Sequence, residues 1–212
     1  KQPGQISLMA ALNLKENVKV LVENCVFSDN EIAWSHFDAR YRPIVLGFAR
    51  KMGLNEVDAS EVAQETIVQF LKEYKEGKYD RERGRLRSWL IGIARFRVAG
   101  VYRSKSNKRE YRGESAMITL PTEEVECESI WNVERRTVIL QQALQELRAH
   151  SKASDKTIQA FEMLVLNKMP VSTVAENLEM SSQEVYLAKS RTAARLKDII
   201  DRFELIYDED AS

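Results

Sequence analysis

An all-α fold in two helical parts is predicted for this chain of 212 residues, and three observations predict it. Eight Gly and four Pro are too few for a turn-rich β architecture. Apolar residues recur at spacings of three and four over most of the length, the period of an amphipathic helix. The formal net charge is zero only because a basic stretch and an acidic stretch cancel, which marks a change of environment along the chain. A hydrophobic content of 44% with 30% charged residues suits a soluble globular protein, and the length suffices for one large domain or two small ones.

Taken in order, residues 1–8 show no periodic pattern, and Met9 offers a natural start. From Ala10 to Val26, Leu12, Leu14, Val18, Leu21 and Val22 predict a first helix. Ser28-Asp29-Asn30 supplies an N-cap signal for a long helix from Glu31 to Gly53, with Trp34, Phe37, Tyr41, Ile44 and Phe48 on its apolar face. Pro43 is expected to kink this helix or divide it in two. After Gly53, Asn55 or Asp58 caps a helix over Ala59–Lys75, whose stripe Ala63, Ile67, Phe70, Leu71, Tyr74 faces a core. Its other face carries Glu61, Gln64, Glu65 and Val68, which reads as a solvated acidic face.

Gly77 to Gly84 reads as a loop, and a helix from Leu86 to Ser104 follows. Between Arg81 and Arg112 eleven Lys and Arg stand against Glu82 and Glu110 alone, a local charge of about +9. Leu86, Trp89, Leu90, Ile93, Phe96 and Val98 run through the same stretch. A basic tail would lack that periodic apolar set, and a core helix would not carry that charge. The combination points to a folded helix presenting a basic and aromatic face to a polyanion. The spacing of Trp89 with Leu90 and Ile93 favours the core for its indole over a place on that basic and aromatic face.

Residues 113–134 then hold six Glu and neither Lys nor Arg, and with Pro121 they read as an interdomain linker. Helical periodicity returns over Ile130–Ala149 and again over Lys156–Asn167, before Pro170. In residues 171–197 a short helix with Val174, Ala175 and Leu178 is followed by a tight turn and a capping box, Ser181 as N-cap and Glu184 at N3. The helix beyond it turns Val185, Ala188 and Leu196 inward and Lys189, Arg191, Arg195 and Lys197 outward, the pattern of a helix-turn-helix. Its turn requires Glu179 in the left-handed region, at a cost of roughly 1 kcal/mol.

Several classes are set aside. No apolar run reaches the roughly 18 residues that cross a bilayer, and no signal-peptide order is present, so a cytoplasmic protein without membrane insertion is expected. Cys25 and Cys127 are isolated and only His36 and His150 join them, so no metal and no cofactor are expected. Neither His has a nucleophile or metal-ligand companion at a useful spacing, which argues against an enzyme.

The two basic elements in this order resemble the sigma-70 family of bacterial transcription initiation factors, in its small extracytoplasmic-function type. Three stretches carry the resemblance: Asp58-Ala59-Ser60-Glu61-Val62-Ala63-Gln64-Glu65-Thr66, Trp89-Leu90-Ile91-Gly92-Ile93-Ala94-Arg95, and Val174-Ala175-Glu176-Asn177-Leu178 through Val185. It implies an N-terminal extension (1–30), sigma domain 2 (31–112), an acidic linker (113–130) and a helix-turn-helix sigma domain 4 (131–212).

The resemblance also implies partners and contacts. Glu61, Gln64 and Glu65 would dock on the clamp helices of the polymerase β′ subunit, and the flap of the β subunit would be a further contact. Arg87, Arg95, Arg97, Tyr102, Arg103, Lys105, Lys108 and Arg109 would engage the −10 promoter element. Ser182, Gln183, Glu184, Tyr186, Lys189, Ser190, Arg191 and Arg195 would meet the −35 element in the major groove. An anti-sigma factor is a possible further partner. The chain departs from the family pattern at Glu61 (commonly Asp), Phe96 (commonly Asn), Gly100 (commonly Asp), and at Tyr186 and Ala188, where basic residues are common. A helix-turn-helix regulator that acts without polymerase is the alternative; it accounts for both basic elements but not for the acidic face at Glu61–Glu65.

Overall fold

The computed structural model describes residues 18–27, 31–80, 82, 84–110, 124–150 and 155–207, and these are helical throughout apart from short turns. Eight α-helices follow one another among them: α1 (Val18–Phe27), α2 (Glu31–Lys51), α3 (Glu56–Lys75), α4 (Leu86–Glu110), α5 (Glu124–His150), α6 (Asp155–Phe161), α7 (Val171–Leu178) and α8 (Ser182–Tyr207). The chain divides into two compact units, one of residues 1–138 with 206–212, the other of residues 139–205. The fold is all-α, as the periodicity predicts.

In the first unit α2, α3 and α4 pack around a shared core, and α1 lies on α2 and α3. Phe37, Ile44 and Phe48 of α2, Ile67 and Phe70 of α3 and Leu90, Ala94 and Val98 of α4 are all fully buried. Phe37 stacks on Phe70 with ring centroids 5.5 Å apart. Leu21 and Val22 of α1 are also fully buried, so this part of the N-terminal extension belongs to the core.

Local chemistry sets the ends of these helices. Asn55 caps α3 by accepting a hydrogen bond from the Asp58 amide at 3.0 Å. Gly53 stops α2 at φ +90°, where a side chain would be strained. The Tyr102 hydroxyl fills the space a Cβ would need and donates to the Met52 carbonyl at 2.9 Å.

Three elements differ from the sequence expectation. Helix α2 is continuous through Pro43 rather than divided, because Tyr41, Ile44 and Val45 on both sides of it are buried and packing outweighs one lost hydrogen bond. Helix α4 passes Gly100 and ends at Glu110, beyond the expected Ser104; the Tyr102 tie to Met52 secures that part of it. Helix α5 begins at Glu124, inside the stretch read as linker, with Cys127 and Trp131 buried four residues apart on one side. Glutamates around these two apolar positions weaken the periodicity there. Trp131 meets Phe48 edge-on at 6.3 Å, and Glu134 crosses Gly47 so closely that a Cβ there would collide with its carboxylate. The units accordingly divide at Val138, inside α5, while residues 113–123 lie outside the described set.

The second unit is built on a small core of Ala160, Val174, Val185 and Ala188, with Ala175, Leu178 and Met180 packed against it. The helix expected to run on to Asn167 widens after Phe161 into a π-helical turn, Glu162–Leu166. That turn brings the consecutive Met163 and Leu164 against the same core. Glu179 adopts the left-handed conformation (φ 51°, ψ 51°) that the turn between α7 and α8 demands. Ser181 and Glu184 form the reciprocal cap: the Ser181 amide donates to the Glu184 carboxylate at 2.7 Å, and the Glu184 amide donates to Ser181 Oγ at 3.2 Å. Val185, Ala188 and Leu196 are buried and Lys189, Arg191, Arg195 and Lys197 exposed, as predicted, and α8 continues to Tyr207.

Candidate functional site

Helices α3 and α4 lie side by side in the first unit and build the candidate site between them. The α3 stripe that faces the core leaves Glu61, Gln64, Glu65 and Val68 exposed, with Val68 at 51% of its full exposure. This face is therefore not purely acidic: it carries an apolar residue among its polar ones.

Cations of α4 cross to the carboxylates of α3. Arg97 pairs with Glu65 at 3.1 Å and donates to Gln69 Oε1 at 3.3 Å. Lys105 forms an ion pair with Asp58, in the first turn of α3. The Trp89 indole N–H donates to Glu73 at 2.7 Å. This corrects the reading of Trp89 as core: the ring is half-buried, edge-on to Tyr79 at 5.9 Å, and its nitrogen reaches a carboxylate at the rim. Together these three bridges span four turns of α3 from Asp58 to Glu73.

A groove runs between them. One cavity of about 450 Å³ is lined by Trp89, Gly92, Ile93 and Phe96 from α4 and by Gln69 and Glu73 from α3. Its neighbours extend it along Asp58, Glu61 and Glu65, and Arg97 borders every part. Phe96 is 66% exposed and carries the Arg103 guanidinium over its ring at 5.5 Å.

The residues expected to meet the −10 element are thus differently placed. Arg103 is exposed, and Arg87 and Arg95 are half-buried. Arg95 lies near Cys127 of α5; burial raises the Cys127 thiol above its ordinary pKa, and the Arg95 charge opposes that rise. Arg97 and Lys105 bind α3, and Tyr102 anchors the α2 terminus. The side chains of Lys108 and Arg109 lie outside the described residues. Sequence reasoning missed Gln69, Glu73, Gly92 and Phe96 as neighbours in a groove. The signal was present in Phe96, an aromatic residue where the family pattern has a polar one.

In the second unit Ser182, Gln183, Glu184, Tyr186, Lys189, Ser190, Arg191 and Arg195 are all exposed on α8, with Tyr186 at 57%. Glu184 is committed to the cap, and its bonds from the Ser181 amide and hydroxyl hold its carboxyl below the ordinary range. Among the described residues no helix is long and apolar enough to cross a membrane. No cluster of three or more His, Cys, Asp or Glu that could hold a metal ion occurs among them.

Residues 37–108 match the family model of sigma-70 region 2, a span that takes in α2 from Phe37, all of α3 and nearly all of α4. The match supports membership of the sigma-70 family and a part in transcription initiation, and a region of this kind implies binding to core RNA polymerase and promoter DNA. No curated protein matches the chain.

Proposed function

We propose that the protein is a promoter-specific transcription initiation factor of the two-domain, extracytoplasmic-function type. In this reading the first unit docks on core polymerase through Glu61, Gln64 and Glu65 on α3 and engages the −10 element through basic and aromatic residues of α4. The second unit reads the −35 element with α8. The observation that carries the reading is the exposed Glu61–Gln64–Glu65 face, which lies within the residues matched to sigma-70 region 2. Its charge suits a basic partner helix, and the cations of the neighbouring α4 suit phosphates.

The α7–α8 pair supports the second half of the reading. Its left-handed turn residue and capped α8 N-terminus set a helix with exposed polar ends against a supporting helix, the arrangement of a helix-turn-helix. Glu184 is expected to serve the cap rather than a base, because its carboxylate already accepts two bonds from Ser181.

The test is capture of bacterial core RNA polymerase by the full chain, with Glu61→Lys/Glu65→Lys as control. Capture by the wild type and its loss in the charge reversal are expected. Absence of capture, with tight binding of duplex DNA by the protein alone, would instead identify a regulator independent of polymerase.

A further inference from the structure

We propose that Met163, Met169 and Met180 form an oxidation site in the second unit, where a peroxide converts their thioethers to sulfoxides and loosens α8 from α7. Its effect on promoters rests on the helix-turn-helix reading; the site itself rests on packing alone.

The placement of the methionines comes first. The chain holds six, and three of them fall between residues 163 and 180. They occupy both connections of α7. Met163 sits in the π-helical turn after α6, Met169 just before Pro170 at the start of α7, and Met180 in the turn to α8. Backbone bonds fix them there: the Met169 amide donates to the Met163 carbonyl at 3.0 Å, and the Met180 amide to the Ala175 carbonyl at 2.9 Å. Met180 also separates the left-handed Glu179 from Ser181, whose hydroxyl caps α8.

Their degree of burial makes the site both reactive and consequential. The buried core here consists of four small residues, Ala160, Val174, Val185 and Ala188, and the three methionines pack against it while partly exposed. A fully exposed thioether is oxidised without effect on the fold, and a fully buried one is shielded. Met52 of the first unit is of the second kind, at 4% exposure. Leu164, Val171 and Leu178 fill the same ring around the core and carry no sulfur.

The chemistry is a two-electron oxygen transfer. The sulfur lone pair attacks one oxygen of hydrogen peroxide; an S–O bond forms and the O–O bond breaks. Sulfur is oxidised by two electrons, and the departing hydroxide takes the proton of the transferred oxygen and leaves as water. The sulfoxide is a polar acceptor among alanine, valine and leucine side chains, none of which can donate to it. It stays unpaired or turns out to solvent, and either way α7 loses contact with the core that seats α8.

The test treats the full chain with hydrogen peroxide, then with dithiothreitol to reverse thiol oxidation at Cys25 and Cys127. Peptide mass spectrometry locates the sulfoxides, and amide hydrogen exchange reports on α7 and α8. Fluorescence anisotropy gives the promoter affinity of the polymerase complex. Sulfoxides are expected at Met163, Met169 and Met180 before Met52, with faster exchange in α7 and α8 and not in α2 to α4. Promoter affinity should fall about tenfold, the scale of an unpaired polar group in an apolar site. Methionine sulfoxide reductase should restore it. Met163→Leu/Met169→Leu/Met180→Leu conserves volume and should bind promoter like the wild type, before and after peroxide. Should that variant fail to fold, Met180→Leu decides alone, by a smaller peroxide effect than in the wild type.

Met52 oxidised ahead of these three, or sulfoxides at the three with unchanged exchange or unchanged affinity, would overturn the proposal. An equal peroxide loss in the leucine variant would do the same. Should the wild type capture no polymerase, the polymerase reading falls; hydrogen exchange and duplex affinity of the protein alone then decide the site by the same outcomes.

Discussion

Helix α4 and the first half of α8 are both basic and amphipathic, yet their cations meet different fates. On α4, Arg97 and Lys105 bend onto the carboxylates of α3, and Tyr102 is spent on the Met52 carbonyl. On α8, Lys189, Arg191 and Lys197 stand exposed along the helix. The difference lies in the neighbour. Helix α4 packs beside a helix whose facing edge is acidic from Asp58 to Glu73, whereas α8 turns toward its unit core with Val185 and Ala188 and leaves its charged side in solvent. A cation paired with a neighbouring helix is largely neutralised within the fold. A basic helix in solvent keeps its charge for a polyanion.

The contrast is broken most sharply at the anchor of α4. Gly53→Ala forces a side chain into φ +90° and against the Tyr102 hydroxyl, which sits 2.7 Å from the new Cβ. A loss of about 2 kcal/mol is expected, strain plus the displaced hydrogen bond, measured by denaturant unfolding of the full chain. A loss within experimental error would detach Tyr102 from the scaffold and return it to the DNA contacts.

The next effect separates the two sets of cations. Lys189→Ala with Arg191→Ala should lower the slope of log affinity against log salt by about two for promoter binding by the polymerase complex, since each neutralised phosphate contributes roughly one. Arg97→Ala with Lys105→Ala should leave that slope nearly unchanged and lower stability by no more than about 1 kcal/mol for partly exposed pairs. Equal slopes in the two double variants would erase the distinction.

The smallest effect sharpens the α8 side. Ser181→Ala removes the cap and should cost about 1 kcal/mol of stability. It also carries a pH signature. The Glu184 carboxyl is held low in the fold by its bonds from Ser181, so its contribution is present above the ordinary carboxyl pKa of 4.5 and is lost as pH falls through the lowered folded value. The wild type should therefore lose this stability in acid, and Ser181→Ala should lose less of it, because only the hydroxyl bond is gone and the amide bond remains. Titration of the Glu184 carboxyl by NMR would show a smaller lowering in the variant than in the wild type, since the amide of residue 181 still donates to it.

Much of this was legible in residues alone. The capping box at Ser181–Glu184, the left-handed Glu179, the Asn55 cap and the inward set Val185, Ala188 and Leu196 all follow from short-range rules, because caps, turns and helix faces depend on residues three or four apart. The exposure of Glu61, Gln64 and Glu65 follows from the same periodicity.

Pairings between distant residues decided the rest. Nothing in the order of residues ties Arg97 to Glu65, Trp89 to Glu73 or Tyr102 to Met52; those contacts exist because α3 and α4 pack in one register and α4 reaches the end of α2. The length of α5 and the unbroken course of α2 through Pro43 were likewise settled by burial of Trp131, Cys127 and Ile44 against partners remote in sequence. Sequence determined which faces were apolar, basic or acidic. Tertiary packing determined which of those charges met each other and which were left for a partner, because a long charged side chain bonds to whatever the fold brings within its reach.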